Sequence, residues 1–389
     1  MKAALKAWAW HTALGHDTDT VMQRLQSGER AWQANPRFDA RSYACTTAAG
    51  LPTPPSASRH QRHLRRMGLH AVEVATQALA AAQVKGSDRV GLFFGYGGLR
   101  AHWDDLMPAF EHQRSDGAAA WDRGLALLHP FWMLQHLSNN AHAIAAQALG
   151  ACGEGSTFGG GNAGAQALAA ALRALQAEAV DTAVVVGYDS LIEPETVVAL
   201  SERGALSPAD AATVSSPYDL HANGFVPGEA AAAVVLQRLG TPGGTVWSHL
   251  QALDAADGTP GEAQPATLER LLRSLAQPGD AVDGAGMAQP RFDLAERETV
   301  AAFTGDRSPL LCTASAWGQL GAAAAVVQAI ALTACLHRSV WLPIAGLRHP
   351  APGPLRPLRA VEISSTPRAA LGVSVASPGL AGLIRVELP

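Results

Sequence analysis

The sequence has few charged residues and few cysteines, and each shortage excludes classes of protein. Charged residues make up 16% of the 389 residues, the net charge is −4, and no run of basic residues occurs. Such a composition lacks the electrostatic footprint of a nucleic-acid-binding protein. The four cysteines have no CxxC spacing, which argues against a disulfide framework or a cysteine zinc site and favours a reducing, cytoplasmic location.

Metal-ligand motifs and membrane-spanning runs are also missing. The 14 histidines form no HxxxH or HExxH pair. His60, His63 and His70 lie among four arginines, and we interpret them as part of a solvated helix face rather than as metal ligands. The apolar stretch 321–334 is shorter than the roughly 20 residues that a membrane span needs, and the N-terminus lacks the apolar run of a signal peptide. We therefore expect no metal and no membrane span.

The residues that are present predict a large core of alternating strands and helices. The hydrophobic content is 48%. Buried strands are predicted where short apolar runs occur, at 89–94, 182–187 and 229–236. Helices are predicted from Ala-rich periodic segments, at 163–178, 266–276 and 321–336. Strands that are apolar throughout and alternate with helices favour an α/β layered fold over a sandwich or a bundle.

The chain is expected to fold as two similar halves. Residues 240–265 shift in composition to Gly, Pro, Thr, Asp and Gln, which is typical of a connection. This places the halves at residues 1–240 and 241–389. The last run, residues 383–388, alternates between apolar and polar side chains in the manner of an edge strand.

A glycine-rich run at residues 159–164 matches the G-x-G-x-x-G pattern and precedes a predicted helix. A dinucleotide site would need these glycines directly after a strand, with an acidic residue about 20 residues further on. Residues 153–158 are poor strand formers, and Asp189 meets the second condition only loosely. We therefore interpret the run as a turn that lets a helix start close to a buried surface, and we expect no cofactor.

Three consecutive segments carry a family resemblance. Residues 200–208 contain a GALS turn, residues 216–219 a proline–aromatic–Asp step, and residues 223–230 the run NGFVPGEA. This order resembles the β-ketoacyl synthases of fatty acid and polyketide assembly, and weaker similarities extend it over essentially the whole chain. The resemblance implies the thiolase fold, in which two similar α/β halves form a five-layered α-β-α-β-α core, usually in dimers.

The same resemblance implies that the catalytic residues are absent. Members of the family use a cysteine at a helix N-terminus, two histidines and a lysine. An ungapped count places Asn162 at the cysteine position, and a one-residue slip would place Gly161 there; neither side chain can be acylated. Asp283 takes the place of the first histidine in the HGTGT turn. Ala314 and Gln319 replace the lysine and the second histidine of the KSxxGH segment.

The turns around these positions are nevertheless retained. The downstream acidic residues of the family survive as Asp293 and Glu296, and the C-terminal GFGGTN turn is roughly residues 375–380. Chain length factors, the non-condensing β subunits of type II ketosynthases, carry a Q-A-G run where this chain has Asn162-Ala163-Gly164.

The resemblance therefore implies a pseudoenzyme that pairs with an active ketosynthase in a heterodimer and acts with an acyl carrier protein. It would help to shape the cavity in which a polyketide or aryl polyene chain grows. One or more of four large apolar residues, in the segment that meets the partner in the family, is expected to limit chain length: Trp103, Met107, Phe110 and Trp121.

Three other functions stay open. The chain could decarboxylate a malonyl-carrier substrate with the Asn162 amide and Asp283. It could use a relocated nucleophile, Cys152 or Cys312, although a buried structural thiol is the simpler interpretation. It could also act alone as a scaffold that binds an acyl chain or its carrier protein.

Overall fold

Fifteen strands are found among residues 2–56, 59–98, 107–108, 111, 124–254, 264–377 and 380–389, which are the residues that the computed structural model describes. They are Ala3–His11 (β1), Gln33–Ala34 (β2), Thr47–Ala48 (β3), Val90–Tyr96 (β4), Ser156–Gly159 (β5), Thr182–Ser190 (β6), Glu229–Arg238 (β7), Ser248–Asp254 (β8), Ala281–Asp283 (β9), Pro309–Leu311 (β10), Val340–Trp341 (β11), Arg356–Pro357 (β12), Glu362–Ile363 (β13), Ala369–Ser377 (β14) and Leu380–Glu387 (β15).

Two sets of five strands share one order and one pattern of directions. The first set runs β1-β7-β6-β4-β5 and the second runs β8-β15-β14-β9-β10. In each set the first three strands pair antiparallel and the last three pair parallel. Pairing of β1 with β8 joins the two sets edge to edge. The expected duplication is therefore confirmed at the level of topology, whereas the exact division at residue 240 stays a prediction.

The helices of the described residues form three further layers. They are Thr18–Gln26 (α1), Arg66–Ala81 (α2), Gly124–Leu127 (α3), Trp132–Gln135 (α4), Asn140–Leu149 (α5), Ala163–Gln176 (α6), Pro194–Glu202 (α7), Gln264–Leu275 (α8), Pro290–Thr304 (α9), Ala314–Trp317 (α10) and Ala324–Arg338 (α11). Helices α6 and α11 contact each other and strands of both sets, so they lie between the two sets. Helix α2 covers the first set, and α8 covers the second, with α9 packed against α8. This is the five-layered arrangement that the resemblance implied.

The central helices are apolar on all sides because both of their faces meet a sheet. In α6 the side chains of Leu168, Leu172 and Leu175 are buried, and most of the remaining positions are alanine. The stretch Gly321–Arg338 is 18 residues long and apolar enough to cross a membrane by length and composition. It is 78% buried inside the fold, which is the property of a core helix.

Four local predictions were wrong. Residues 383–387 lie in β15, which is paired on both sides, by β14 and β8. The second of these partners, β8, lies within the segment that composition marked as a connection. Strand β5 forms directly before the glycine-rich run, although its sequence is a poor strand former. His70 is 1% exposed within α2, so it does not belong to a solvated helix face.

Candidate functional site

A cavity of about 590 Å³ lies between the two halves, beside the start of α6. Its wall combines Gly161 from the first half with Gln319 and Ala376 from the second. Helix α7 contributes both apolar and polar side chains, and Arg203, just after that helix, is exposed to solvent. Most of the lining is apolar, and the described lining residues include no cysteine, histidine or lysine, although a carboxylate and a hydroxyl from α7 lie on the wall. The cavity can therefore accept an apolar chain, but its described wall lacks the thiol and the imidazoles that the family resemblance would place there.

Gly161, rather than Asn162, is the residue of the glycine-rich turn that lines the cavity. A Cβ atom added to Gly161 would lie 2.4 Å from the Cβ atom of Ala376. The space that a nucleophilic side chain would need is therefore already filled. Asn162 is buried, and its amide oxygen accepts a hydrogen bond from Gln166 at 3.3 Å. Its amide nitrogen has no partner among the described residues.

Gln319 is fixed by both its backbone and its side chain. Its N–H donates to the carbonyl oxygen of Val226 (2.8 Å), and its own carbonyl accepts from Gly228 (2.9 Å). Its side-chain nitrogen donates to the carbonyl oxygens of Ala285 and Gly286. An amide does not titrate near neutral pH, and both of its N–H groups are engaged here. Gln319 can hold the neighbouring turn, but it cannot act as a general acid or base.

The structure contradicts the placement of Asp283 at the site. Asp283 is fully buried, and its carboxylate accepts hydrogen bonds from the backbone N–H (2.8 Å) and the hydroxyl (2.7 Å) of Thr313. Burial raises the pKa of Asp283 to about 6. The residue of this turn that meets Gln319 is Ala285, two positions further along. An ungapped alignment across a glycine-containing turn could not show which residue faces the site and which one anchors the strand.

Ala314 lies close to Ala285 and Gln319, as the KSxxGH resemblance implied. The three residues line a void of about 20 Å³ together with Gln328. Gln328 donates from its side-chain nitrogen to the carbonyl oxygens of Asp283 (3.3 Å) and Val373 (3.0 Å). The void contains no ionisable side chain among its described lining residues.

Two retained acidic residues hold the turn in place. Glu296 accepts hydrogen bonds from the Tyr218 hydroxyl (2.6 Å) and the Ala285 N–H (2.7 Å). The Tyr218 hydroxyl accepts from the Gly286 N–H (3.1 Å), and the Tyr218 N–H donates to Asp293 (3.1 Å). All of these contacts are buried. The proline–aromatic–Asp step and the acidic pair therefore maintain the shape of the site without taking part in chemistry at the cavity.

The remaining predicted residues are the four chain-length candidates and the two cysteines proposed as relocated nucleophiles. Trp103, Phe110 and Trp121 lie outside the described residues, and Met107 is 37% exposed. Cys312 is fully buried, and burial raises the pKa of its thiol far above the usual range. Cys152 is exposed and does not line the cavity. The sequence did not predict that Ala376 lines the cavity. The altered GFGGTN turn was the only feature of the sequence that pointed to this position.

The glycine-rich run is packed against protein. A Cβ atom on Gly164 would lie 2.2 Å from the carbonyl oxygen of Ala322. The carboxylate of Asp189 accepts hydrogen bonds from the N–H groups of Ser190 (2.8 Å) and Ala322 (3.0 Å). The glycines thus serve the contact between helices, as the turn interpretation proposed.

Two matching five-stranded sets around a central helix pair, with a cavity at a helix start between the halves, define the thiolase fold. The chain belongs to the β-ketoacyl synthase family, because the family model described as the N-terminal domain of β-ketoacyl synthases matches residues 5–241.

Individual relatives agree with this assignment. The chain is 31% identical over 206 residues to the tetracenomycin polyketide synthase ketoacyl synthase beta subunit of Streptomyces glaucescens. That match covers 49% of this chain and 50% of the relative, so it spans about half of each.

Solved structures match over the whole chain. The ishigamide ketosynthase/chain length factor matches with a TM-score of 0.86 at 18% identity, covering 100% of this chain and 99% of that one. A chain of AntDE:AntF, a type II polyketide synthase acyl carrier protein in complex with its ketosynthase, matches with a TM-score of 0.82 at 15% identity and the same coverage. At these identities the likeness shows the fold.

The contact between positions 161 and 376 predicts a specific energetic coupling. Gly161→Cys should lower the free energy of unfolding by about 1–3 kcal/mol, because the new Cβ overpacks against Ala376. In the double variant with Ala376→Gly, most of that loss should return, with a coupling energy of at least about 1 kcal/mol in a double-mutant cycle. Urea unfolding measures all four proteins, and Ala376→Gly alone corrects for the cost of the glycine. Simple additivity of the two losses would contradict the steric argument.

The buried acid pair predicts a pH dependence of stability. Burial, together with the charge of Glu296, raises the pKa of Asp293 from 3.8 to about 7. Between these values the unfolded chain loses a proton that the folded chain keeps, so stability is greatest below the lower value and falls as pH rises toward 7. Asp293→Asn should remove this decline, which is worth up to about 1.4 kcal/mol per pH unit.

Urea unfolding between about pH 5 and pH 7 compares the variant with the unaltered chain. Asp306→Asn, at an exposed position, is the control and should follow the unaltered chain. Parallel profiles for Asp293→Asn and the unaltered chain would refute the assignment of this decline to Asp293.

Proposed function

We propose that this chain is a non-catalytic ketosynthase-like subunit, a chain length factor, that pairs with an active ketosynthase in the cytoplasm. The observation that carries the proposal is the cavity of about 590 Å³, which reaches Gly161, Ala376 and Gln319 where a condensing enzyme would place its reactive groups. The cavity is open to a chain, and its described lining holds no thiol or imidazole. The role of this subunit would be to shape the space around a growing polyketide or polyene chain that is carried by an acyl carrier protein.

The loss of chemistry is supported by three independent features. A side chain at position 161 would collide with Ala376. The Gln319 amide is committed to two backbone carbonyl groups. Ala285 and Ala314 offer no proton donor beside it. Formation and attack of an acyl-enzyme need an activated nucleophile and charge-stabilising groups, and these positions supply neither.

The relatives support the kind of partner. One of them is named as the beta subunit of a polyketide ketosynthase, and one solved structure is named as a ketosynthase/chain length factor. A third contains an acyl carrier protein with its ketosynthase. We extend these partners, an active ketosynthase and a carrier protein, to this chain as part of the proposal.

An exposed apolar surface near the end of the first sheet supports the pairing. Among the described strands, β5 lies at the edge of the sheet and pairs with β4 alone. Close to it, Phe131, Met133 and Leu137 are 44%, 68% and 51% exposed. The 131–137 segment is tied to α5 by Asn140, and α5 is tied to β5 by a hydrogen bond of 2.9 Å between His142 and Thr157. An open sheet edge beside exposed apolar side chains is typical of a protein interface.

This surface gives the pairing a direct test. Co-expression with an intact ketosynthase from the same gene cluster should yield a heterodimer. Met133→Glu should weaken it by at least about tenfold, because a charge would be buried in an apolar contact. Ile363→Glu is the matched control, since Ile363 is 83% exposed on β13 in the other half. Analytical ultracentrifugation measures both, and equal dissociation constants would argue against this surface.

The same preparations separate the alternative functions. Turnover of malonyl-carrier by the isolated chain would favour the decarboxylase, although the burial of Asp283 against Thr313 weakens that mechanism. A stable homodimer that ignores the synthase and still binds acyl-carrier would favour the scaffold. Covalent labelling by a radioactive acyl thioester would contradict a silent subunit.

Four residues remain the proposed determinants of chain length: Trp103, Met107, Phe110 and Trp121. In the reconstituted pair, replacing Trp103, Phe110 or Trp121 with alanine should lengthen the products, because a shorter side chain opens space at the end of a tunnel. Mass spectrometry of the released chains measures this. Unchanged lengths in all three variants would remove the idea.

A further inference from the structure

Two histidines and a glutamate converge at a place remote in sequence from the cavity residues. His11, His70 and Glu73 each offer a ligand atom, and these atoms lie within 4.8 Å of one another. The Nδ1 atoms of His11 and His70 are 2.8 Å apart. Among the residues that the structure describes, this is the one group of three such side chains close enough to share an ion. None of the three lines the cavity between the halves.

The fold brings the three residues together through one strand and one helix. His11 is the last residue of β1, and α2 packs directly on that strand. His70 and Glu73 are three residues apart on α2, which places them on the same face of the helix. The sequence alone gave no HxxxH or HExxH signal because the first ligand lies 59 residues away from the second.

The buried histidine is incompletely satisfied. His70 is 1% exposed, and its Nε2 atom has no hydrogen-bond partner among the described residues. The Nδ1 contact uses a single hydrogen, so one imidazole donates and the other accepts. Leaving a buried polar nitrogen without a partner costs free energy. The unpartnered atom is Nε2, whereas the two Nδ1 atoms face each other and are the ones that an ion could share.

The surroundings suit a metal ion. The three residues line a pocket of about 170 Å³ together with His16, whose ring centroid is 6.0 Å from that of His11. Ser56 donates its hydroxyl to Glu73 at 2.6 Å, which fixes the carboxylate in the manner of an outer-shell contact.

We propose that His11, His70 and Glu73 bind a zinc-type divalent cation, with His16 or water as the fourth ligand. Two imidazole nitrogens and one carboxylate form a donor set that Zn²⁺ favours. Tetrahedral coordination with bonds of about 2.0–2.1 Å separates two nitrogens by roughly 3.3 Å. The present Nδ1 separation of 2.8 Å would have to increase by only about 0.5 Å. The ion would clamp the end of β1 to α2, independently of the proposed chain-length function.

The experiment is a metal titration of the full-length, tag-free chain after chelator treatment and buffer exchange. Zn²⁺ is added in competition with a chromogenic zinc chelator, and Co²⁺ is added separately to read geometry from its visible absorption. We expect one equivalent of Zn²⁺ per chain and intense tetrahedral Co²⁺ bands. His11→Gln and Glu73→Gln should each weaken Zn²⁺ binding by at least about tenfold.

A second histidine pair provides the matched control. The exposed rings of His221 and His349 are 5.2 Å apart, and His221→Gln should leave the affinity for Zn²⁺ unchanged. Circular dichroism verifies that each variant is folded, and His11 and Glu73 were chosen because both are only half-buried. The proposal is overturned if the unaltered chain takes up no stoichiometric Zn²⁺. It is also overturned if the two site variants bind Zn²⁺ as tightly as the unaltered chain, or if His221→Gln alone loses the ion.

Discussion

The close contact between the start of α6 and the turn before α11 constrains the whole molecule. The carbonyl oxygen of Ala322 lies where a side chain on Gly164 or Gly187 would begin, 2.2 Å and 3.0 Å from the respective Cβ positions. The N–H of the same residue donates to the buried carboxylate of Asp189 at 3.0 Å. Both backbone polar groups of Ala322, in the second half, thus lie against residues of the first half. Because the cavity takes its wall from both halves, its shape depends on this spacing.

The framework around the site is held by groups other than those at the catalytic positions of the family, so its geometry does not depend on which side chains occupy those positions. The turn that contains Ala285 is fixed by Glu296, Tyr218 and the Gln319 amide. Buried hydrogen bonds of this kind stabilise a conformation whatever the neighbouring side chains do. A resemblance carried by such residues therefore identifies the fold and the family, but it says little about catalysis.

The sequence predicted those parts of the fold that depend on local pattern. Apolar runs at 182–187 and 229–236 became β6 and β7, which are buried on both faces. It could not predict the sheet order, because pairing between distant strands is decided by the whole fold. Residues 383–388 alternate because they include Arg385, yet that guanidinium is buried and pairs with Asp280 at 2.9 Å. A polar residue in an alternating run predicts a solvent-facing position, but the ion pair allows this arginine to be buried instead.

The positions of the site residues likewise depend on more than local sequence pattern. Gln319 lines the cavity, and Ala314 lies next to it at a small void, while their correspondence to catalytic positions of the family stays a prediction. Asn162 is one residue away from Gly161, which lines the cavity, and Asp283 is two residues away from Ala285, whose carbonyl accepts from Gln319. A glycine turn does not impose a side-chain direction, so the sequence could not separate these neighbours. The difference matters, because a carboxylate beside Gln319 would be a base, whereas the Ala285 side chain is not. Apolar walls are unfavourable to leave in contact with water, so an apolar ligand is the kind of occupant that this cavity favours.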